Sequence, residues 1–132
     1  MISILDVSGA VEILLQKENA NKYEEILQKS SIVLSPDLYV SELTNTLWKY
    51  HKAKISTKDE CMQYIQDGVN LVSEFIKTKE LWQEAFFEGL NNNHSTYDMF
   101  YLVTARRSGG ILITCDSILA ELCRKSGIEV CY

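Results

Sequence analysis

Four short runs of apolar, mostly β-branched residues punctuate the chain: Ile2-Ser3-Ile4-Leu5, Ile32-Val33-Leu34, Ile111-Leu112-Ile113 and Ile128-Glu129-Val130-Cys131. They are largely continuous rather than alternating, which suits strands covered on both faces, as in a parallel sheet. Phe75-Ile76-Lys77 is a weaker candidate, either a fifth strand or the end of a helix. Stretches with helical spacing lie between the runs. Strands alternating with helices predict an α/β fold with a mostly parallel sheet and right-handed crossovers. At 132 residues the chain has the size of one domain, 1–132. Only 6 glycines and 1 proline occur, too few for a turn-rich all-β design.

The helical stretches have readable ends. Val11, Leu14, Leu15 and Glu18 fit a first helix, and Tyr23, Ile26 and Leu27 a second. Ser35-Pro36-Asp37 predicts a helix start, with a capping serine and proline in the first turn. That helix runs through Val40, Leu43, Leu47 and Tyr50 to about Lys52. Ser56 or Thr57 caps the next, which carries Met62, Ile65, Val69 and Val72. Leu81, Phe86 and Leu90 mark another, stopping in Asn91-Asn92-Asn93. Ser95 opens a strongly apolar helix that Gly109-Gly110 ends, and a last helix spans 117–125 before Gly127.

In open α/β sheets, ligands bind beyond the carboxyl ends of the strands, where strand order reverses. Asp6 follows the first run directly, and Asp116 closes Ile111-Leu112-Ile113-Thr114-Cys115. Glu42 and Asp98 lie early in apolar helices, at the same edge of such a sheet. Each aspartate also has a purely structural role open to it. Asp116 and Asp6 suit helix N-caps, and Asp98 the third position of a capping box begun by Ser95. Glu42 has no such role: its helical neighbours Leu38, Tyr39, Asn45 and Thr46 include no cation.

Two carboxylates ~5 Å apart repel by roughly 3 kcal/mol at an effective dielectric of 20. Three or four in one place need protons or a cation. Oxygen-only ligands, without histidine or thiolate, point to Mg²⁺ or Mn²⁺ rather than zinc. Ser8 and Thr114 lie two residues from Asp6 and Asp116, placed to orient an acid, a water or a phosphate.

Charge and cysteines set further bounds. Lys and Arg number 13 against 18 Asp and Glu, a net charge of −5, which argues against a general nucleic-acid coat. It leaves room for an enzyme that reaches nucleic acid through a metal, with Arg106, Arg107 and the lysines at 49, 52 and 54 as local basic patches. Cys61, Cys115, Cys123 and Cys131 form no C-x-x-C pair, as expected of reduced thiols in a cytoplasmic protein. His51 and His94 are isolated. The apolar stretches fall short of the ~20 residues of a membrane span, and the start lacks the basic flank of a signal peptide.

Taken in order, Leu5-Asp6-Val7-Ser8, the segment from Pro36 to Trp48 around Glu42, Tyr97-Asp98-Met99-Phe100-Tyr101-Leu102 and Leu112-Ile113-Thr114-Cys115-Asp116 resemble the PIN domain, most nearly the VapC-type toxins of toxin–antitoxin pairs. The likeness spans nearly the whole chain. It implies a three-layer α/β/α sandwich with a central, mostly parallel sheet. It also implies a Mg²⁺- or Mn²⁺-dependent endoribonuclease. The family's acids match Asp6, Glu42, Asp98 and Asp116 as catalytic residues, with Asp6, Asp98 and Asp116 as metal ligands. Ser8, Asn45 and Thr114 match supporting positions. Members of the family often pair as homodimers and are held inactive by a cognate antitoxin. Val7 and Leu119 depart from the common pattern, and neither removes a ligand. Two other classes remain: a non-catalytic module that keeps the fold, and a phosphoacceptor receiver domain. The receiver reading lacks an acid beside Asp6 and a lysine after Val130.

Overall fold

The computed structural model describes residues 1–132. Five strands form one sheet: β1 (Ile2–Leu5), β2 (Ile32–Pro36), β3 (Glu74–Ile76), β4 (Ile111–Ile113) and β5 (Val130–Cys131). All four pairings are parallel, and the order is β3-β2-β1-β4-β5. This differs from the 2-1-3-4-5 order of flavodoxin-like folds, which a receiver domain would need. Seven helices complete the chain: α1 (Val7–Leu14), α2 (Ala20–Lys29), α3 (Leu38–Lys52), α4 (Lys58–Asn70), α5 (Trp82–Asn92), α6 (Thr96–Ser108) and α7 (Ser117–Lys125).

The strand residues explain the layers. Successive side chains point to opposite faces. Ile4, Leu34 and Leu112 are buried with Met99, Leu102, Leu119 and Cys123 under α5, α6 and α7. Leu5, Val33 and Ile113 are buried with Ala10, Tyr23, Leu43 and Leu47 under α1 to α4. Both faces are covered, so the strands carry apolar residues at consecutive positions, as the three-layer sandwich requires. No helix is long and apolar enough to cross a membrane.

Several local expectations are corrected. The Ser35-Pro36-Asp37 segment does not open a helix at Ser35. Pairing with β3, in the register Ser35↔Phe75 and Pro36↔Ile76, keeps it extended through Pro36. The Ser35 hydroxyl instead donates to Leu5 O at 2.8 Å, and α3 begins at Leu38. α1 ends at Leu14, so Glu18 lies outside it. Ser95 precedes α6 but makes no side-chain cap, so the box with Asp98 does not form. Thr57 does cap α4, in a reciprocal box with Glu60. The last strand shortens to Val130–Cys131, and the weak candidate becomes the edge strand β3.

Candidate active site

β1 pairs with β2 on one side and β4 on the other, so strand order reverses between β1 and β4. Asp6 leaves β1 at that crevice, and its N–H donates to Ile113 O at 3.2 Å. The same residue caps α1: its Oδ1 accepts from Gly9 N and from Ser8 Oγ, both at 2.8 Å. Gly9 brings the helix close to the strands, since a Cβ there would lie 3.0 Å from Ile113 O and 3.1 Å from Ile113 Cγ2. Asp6 Oδ2 accepts a hydrogen bond from Thr114 Oγ1. Thr114 Oγ1 in turn accepts from Asp116 N at 3.0 Å, and Ser8 Oγ from Cys115 N at 2.8 Å. Two hydroxyls thus bind the end of β1 to the turn after β4. Asp116 caps α7, its Oδ1 accepting from Ile118 N at 2.9 Å and Leu119 N at 3.1 Å. For Asp6 and Asp116, capping and placement at the crevice are one arrangement.

Glu42 and Asp98 come from α3 and α6. All four acids line one cleft of about 420 Å³, together with Ser8, Glu12, Lys17, Thr46, Tyr50, Tyr101 and Cys115. Tyr101 is buried in α6, and its hydroxyl donates to Glu42 Oε1 at 3.0 Å. Asn45 is exposed and lies outside this cleft, against Val40, Ser41, Thr44 and Trp48. One basic side chain touches an acid of the cleft: His94 Nε2 lies 3.5 Å from Asp98 Oδ2.

Burial and mutual repulsion weigh on these carboxyls. Desolvation pushes Asp6 up to about 6, against hydrogen bonds from Thr114, Gly9 and Ser8, with the charge of Asp98 adding to the rise. Desolvation also pushes Glu42 up to about 7, opposed by the Tyr101 hydrogen bond and helped by Asp98 and Asp6. Asp98 is raised by burial and then by Asp116. A site whose acids prefer protons is short of positive charge.

The donor set fits a hard divalent ion. The candidates are carboxylate and hydroxyl oxygens, and burial keeps the Cys115 thiol above its ordinary pKa, hence protonated at neutral pH. The four carboxylates line the cleft, but no three His, Cys, Asp or Glu side chains stand close enough together to hold an ion. An ion would have to draw them inward.

Tyr101 was not legible in the sequence, because α6 is apolar around most of its circumference and no period marks that position. Tyr101→Phe removes the donor that favours ionised Glu42. The Glu42 carboxyl is then expected to titrate above its value of about 7, which carboxyl-labelled NMR of the metal-free protein measures.

A PIN domain family model matches residues 3–125. The chain belongs to the PIN domain family. It is 26% identical over 124 residues to ribonuclease VapC3 of Pyrobaculum aerophilum, covering 89% of this chain and 92% of that protein. The crystal structure of PAE2754 from Pyrobaculum aerophilum superimposes with a TM-score of 0.70 at 19% identity, over 92% of this chain and 87% of that one. VapBC2 from Rickettsia felis, bound to a DNA fragment from its promoter, gives 0.69 at 16% identity, over 98% and 97%. These two structural likenesses concern the fold.

Proposed function

We propose that this PIN domain is a Mg²⁺- or Mn²⁺-dependent endoribonuclease and the toxin of a VapBC-type pair, acting in the cytoplasm. The observation that carries the reading is the meeting of Asp6, Glu42, Asp98 and Asp116, from four distant parts of the chain, in one cleft at the switch point. The similarity to ribonuclease VapC3 supports the same reading.

Asp6, Asp98 and Asp116 would hold the ion, and Glu42 would complete the cluster. When bound, the ion lowers the pKa of a water and neutralises charge on the scissile phosphate. The remaining work belongs to the chain. Thr114 and Ser8 fix both oxygens of Asp6. Tyr101 fixes Oε1 of Glu42. With its carboxyl near 7, Glu42 is poised to accept and return a proton at neutral pH. In-line attack on an RNA phosphodiester would leave a 5′-phosphate and a 3′-hydroxyl.

Calorimetric titration with Mn²⁺, paired with cleavage of single-stranded RNA, tests this. The expected result is saturable binding, cleavage that EDTA abolishes, and 5′-phosphorylated products. Failure to bind Mn²⁺ at neutral pH would leave the non-catalytic module as the better account.

Protein partners have a surface to use. Trp82, Phe86 and Leu90 stand at i, i+4 and i+8 on α5 and are each more than half exposed, beside Phe87. This ridge is our proposed seat for a second copy of the chain in a homodimer. Light scattering after size exclusion checks it: Phe86→Glu is expected to turn a dimer into a monomer. A dimer that survives the change places the contact elsewhere.

A further inference from the structure

One residue of the cleft has the opposite charge from its surroundings. Lys17 is the sole cation among the cleft residues, and no carboxylate lies within salt-bridge distance of its Nζ. Glu12, the acid of the cleft nearest to it in sequence, is occupied instead by the backbone and side-chain amides of Asn19, at 3.0 and 3.3 Å.

The position of Lys17 is built. Gln16 takes a left-handed backbone, φ 51°, that a non-glycine residue seldom adopts. This conformation ends α1 and turns the chain toward α2. Lys17 N donates to Glu12 O at 2.9 Å, and Lys17 O accepts from Ala20 N at 3.1 Å, so its backbone is held on both sides. Lys17 Nζ donates to Tyr50 OH at 2.8 Å and stands 5.3 Å from the ring centroid. An exposed lysine ordinarily keeps its rotamer freedom. Here much of that freedom is already spent, so an anion meets a prepared ammonium. Tyr50 belongs to the α3 face that carries Glu42 and Thr46, at i+8 and i+4, so one helix face runs from the acids to the cation.

We propose that Lys17, aligned by Tyr50, binds a phosphate of the RNA backbone beside the scissile one and so sets the path of the strand along α3. This rests on the nuclease reading above. With the scissile phosphate drawn to the acids and the ion they would hold, Lys17 is the one protein cation of the cleft left to take a neighbouring phosphate, which favours one direction of approach.

The test uses the full chain with Mn²⁺ and a single-stranded RNA, together with the same strand in Ca²⁺ as a binding measurement without turnover. For Lys17→Ala the expected result is a KM about tenfold higher with kcat within about twofold. Lys17→Arg should stay near wild type. The slope of log(kcat/KM) against log[salt] should fall by about 0.7, the share of one single-strand phosphate contact. Tyr50→Phe should raise KM by a smaller factor of about 3, through the lost alignment.

A Lys17→Ala enzyme with unchanged KM and unchanged salt slope overturns the proposal while the nuclease reading stands. So does a change confined to the Mn²⁺ dependence of kcat, which would make Lys17 a counter-ion of the acids. A wild-type protein that neither cleaves RNA in Mn²⁺ nor holds the strand in Ca²⁺ removes both readings together.

Discussion

Asp98→Asn is expected to lower Mn²⁺-dependent RNA cleavage by roughly a thousandfold, about 4 kcal/mol of transition-state stabilisation, without lowering the melting temperature of the metal-free protein. The two halves of this expectation come from different parts of the geometry. Asp98 lines the acidic cleft, and its substitution removes one of three proposed ligands. Its carboxylate caps nothing, and α6, which begins at Thr96 after Ser95, has no side-chain cap. Its one close partner is His94, 3.5 Å away and partly exposed, a contact worth little. Burial and the charge of Asp116 already disfavour its ionised form, so a neutral amide relieves the cleft. The favourable place of an acid in a helix's first turn offsets some of that relief. Activity and melting temperature measured on one preparation separate this outcome from a simple folding defect. Cleavage retained at more than about a tenth of wild type would remove Asp98 from the ligand set. Asp6→Asn is a poorer probe. Asp6 also joins α1 to β4 through Ser8, Gly9 and Thr114, so its loss mixes chemistry with folding.

The metal-free protein is expected to be more stable at pH 5 than at pH 8. Asp6 rises from 3.8 to about 6 and Glu42 from 4.5 to about 7 on folding. Between the ordinary and raised values the folded state binds more protons than the unfolded one, so stability falls as pH rises through about 4 to 7. One pKa unit is worth about 1.4 kcal/mol. The two carboxyls also oppose each other's ionisation, so their effects do not simply add. A net loss of roughly 3–5 kcal/mol corresponds to a melting temperature lower by on the order of 10 °C. Glu84 and Glu60 shift the opposite way, but Glu60 is exposed and Glu84 partly so, and both weigh little. Mn²⁺ at pH 8 should restore the lost stability by replacing the protons as the source of positive charge. Thermal melts at pH 5, 6.5 and 8, in EDTA and in Mn²⁺, check this. A flat profile in EDTA would mean that the four carboxyls do not share one field.

Much of the fold was legible because burial on both faces leaves a local mark. Ile2–Leu5, Ile32–Val33-Leu34 and Ile111–Ile113 read as strands from composition alone. The failures were non-local. Ser35-Pro36-Asp37 carries a helix-start pattern, yet pairing with residues 74–76, some forty positions away, holds it extended. β3 is a three-residue edge strand with an exposed glutamate, too short for any period to show. For the site, residues just beyond strands were found because topology says where chemistry gathers. Tyr101 and Lys17 were not found, since one is hidden in an apolar helix and the other depends on the left-handed turn at Gln16. Asn45, a family-matched position, is exposed and lines a different depression from the one that holds the acids.

Strand order also bears on how the chain is made. β4 is the inner strand that arrives last, and Asp116 follows it. Until residues 111–116 leave the ribosome, β1 lacks its second neighbour and the crevice has only one wall. A nascent or prematurely terminated product therefore carries three of the four acids but nowhere to assemble them. The cleft is thus completed in one step, when β4 takes its place beside β1 after β2 and β3.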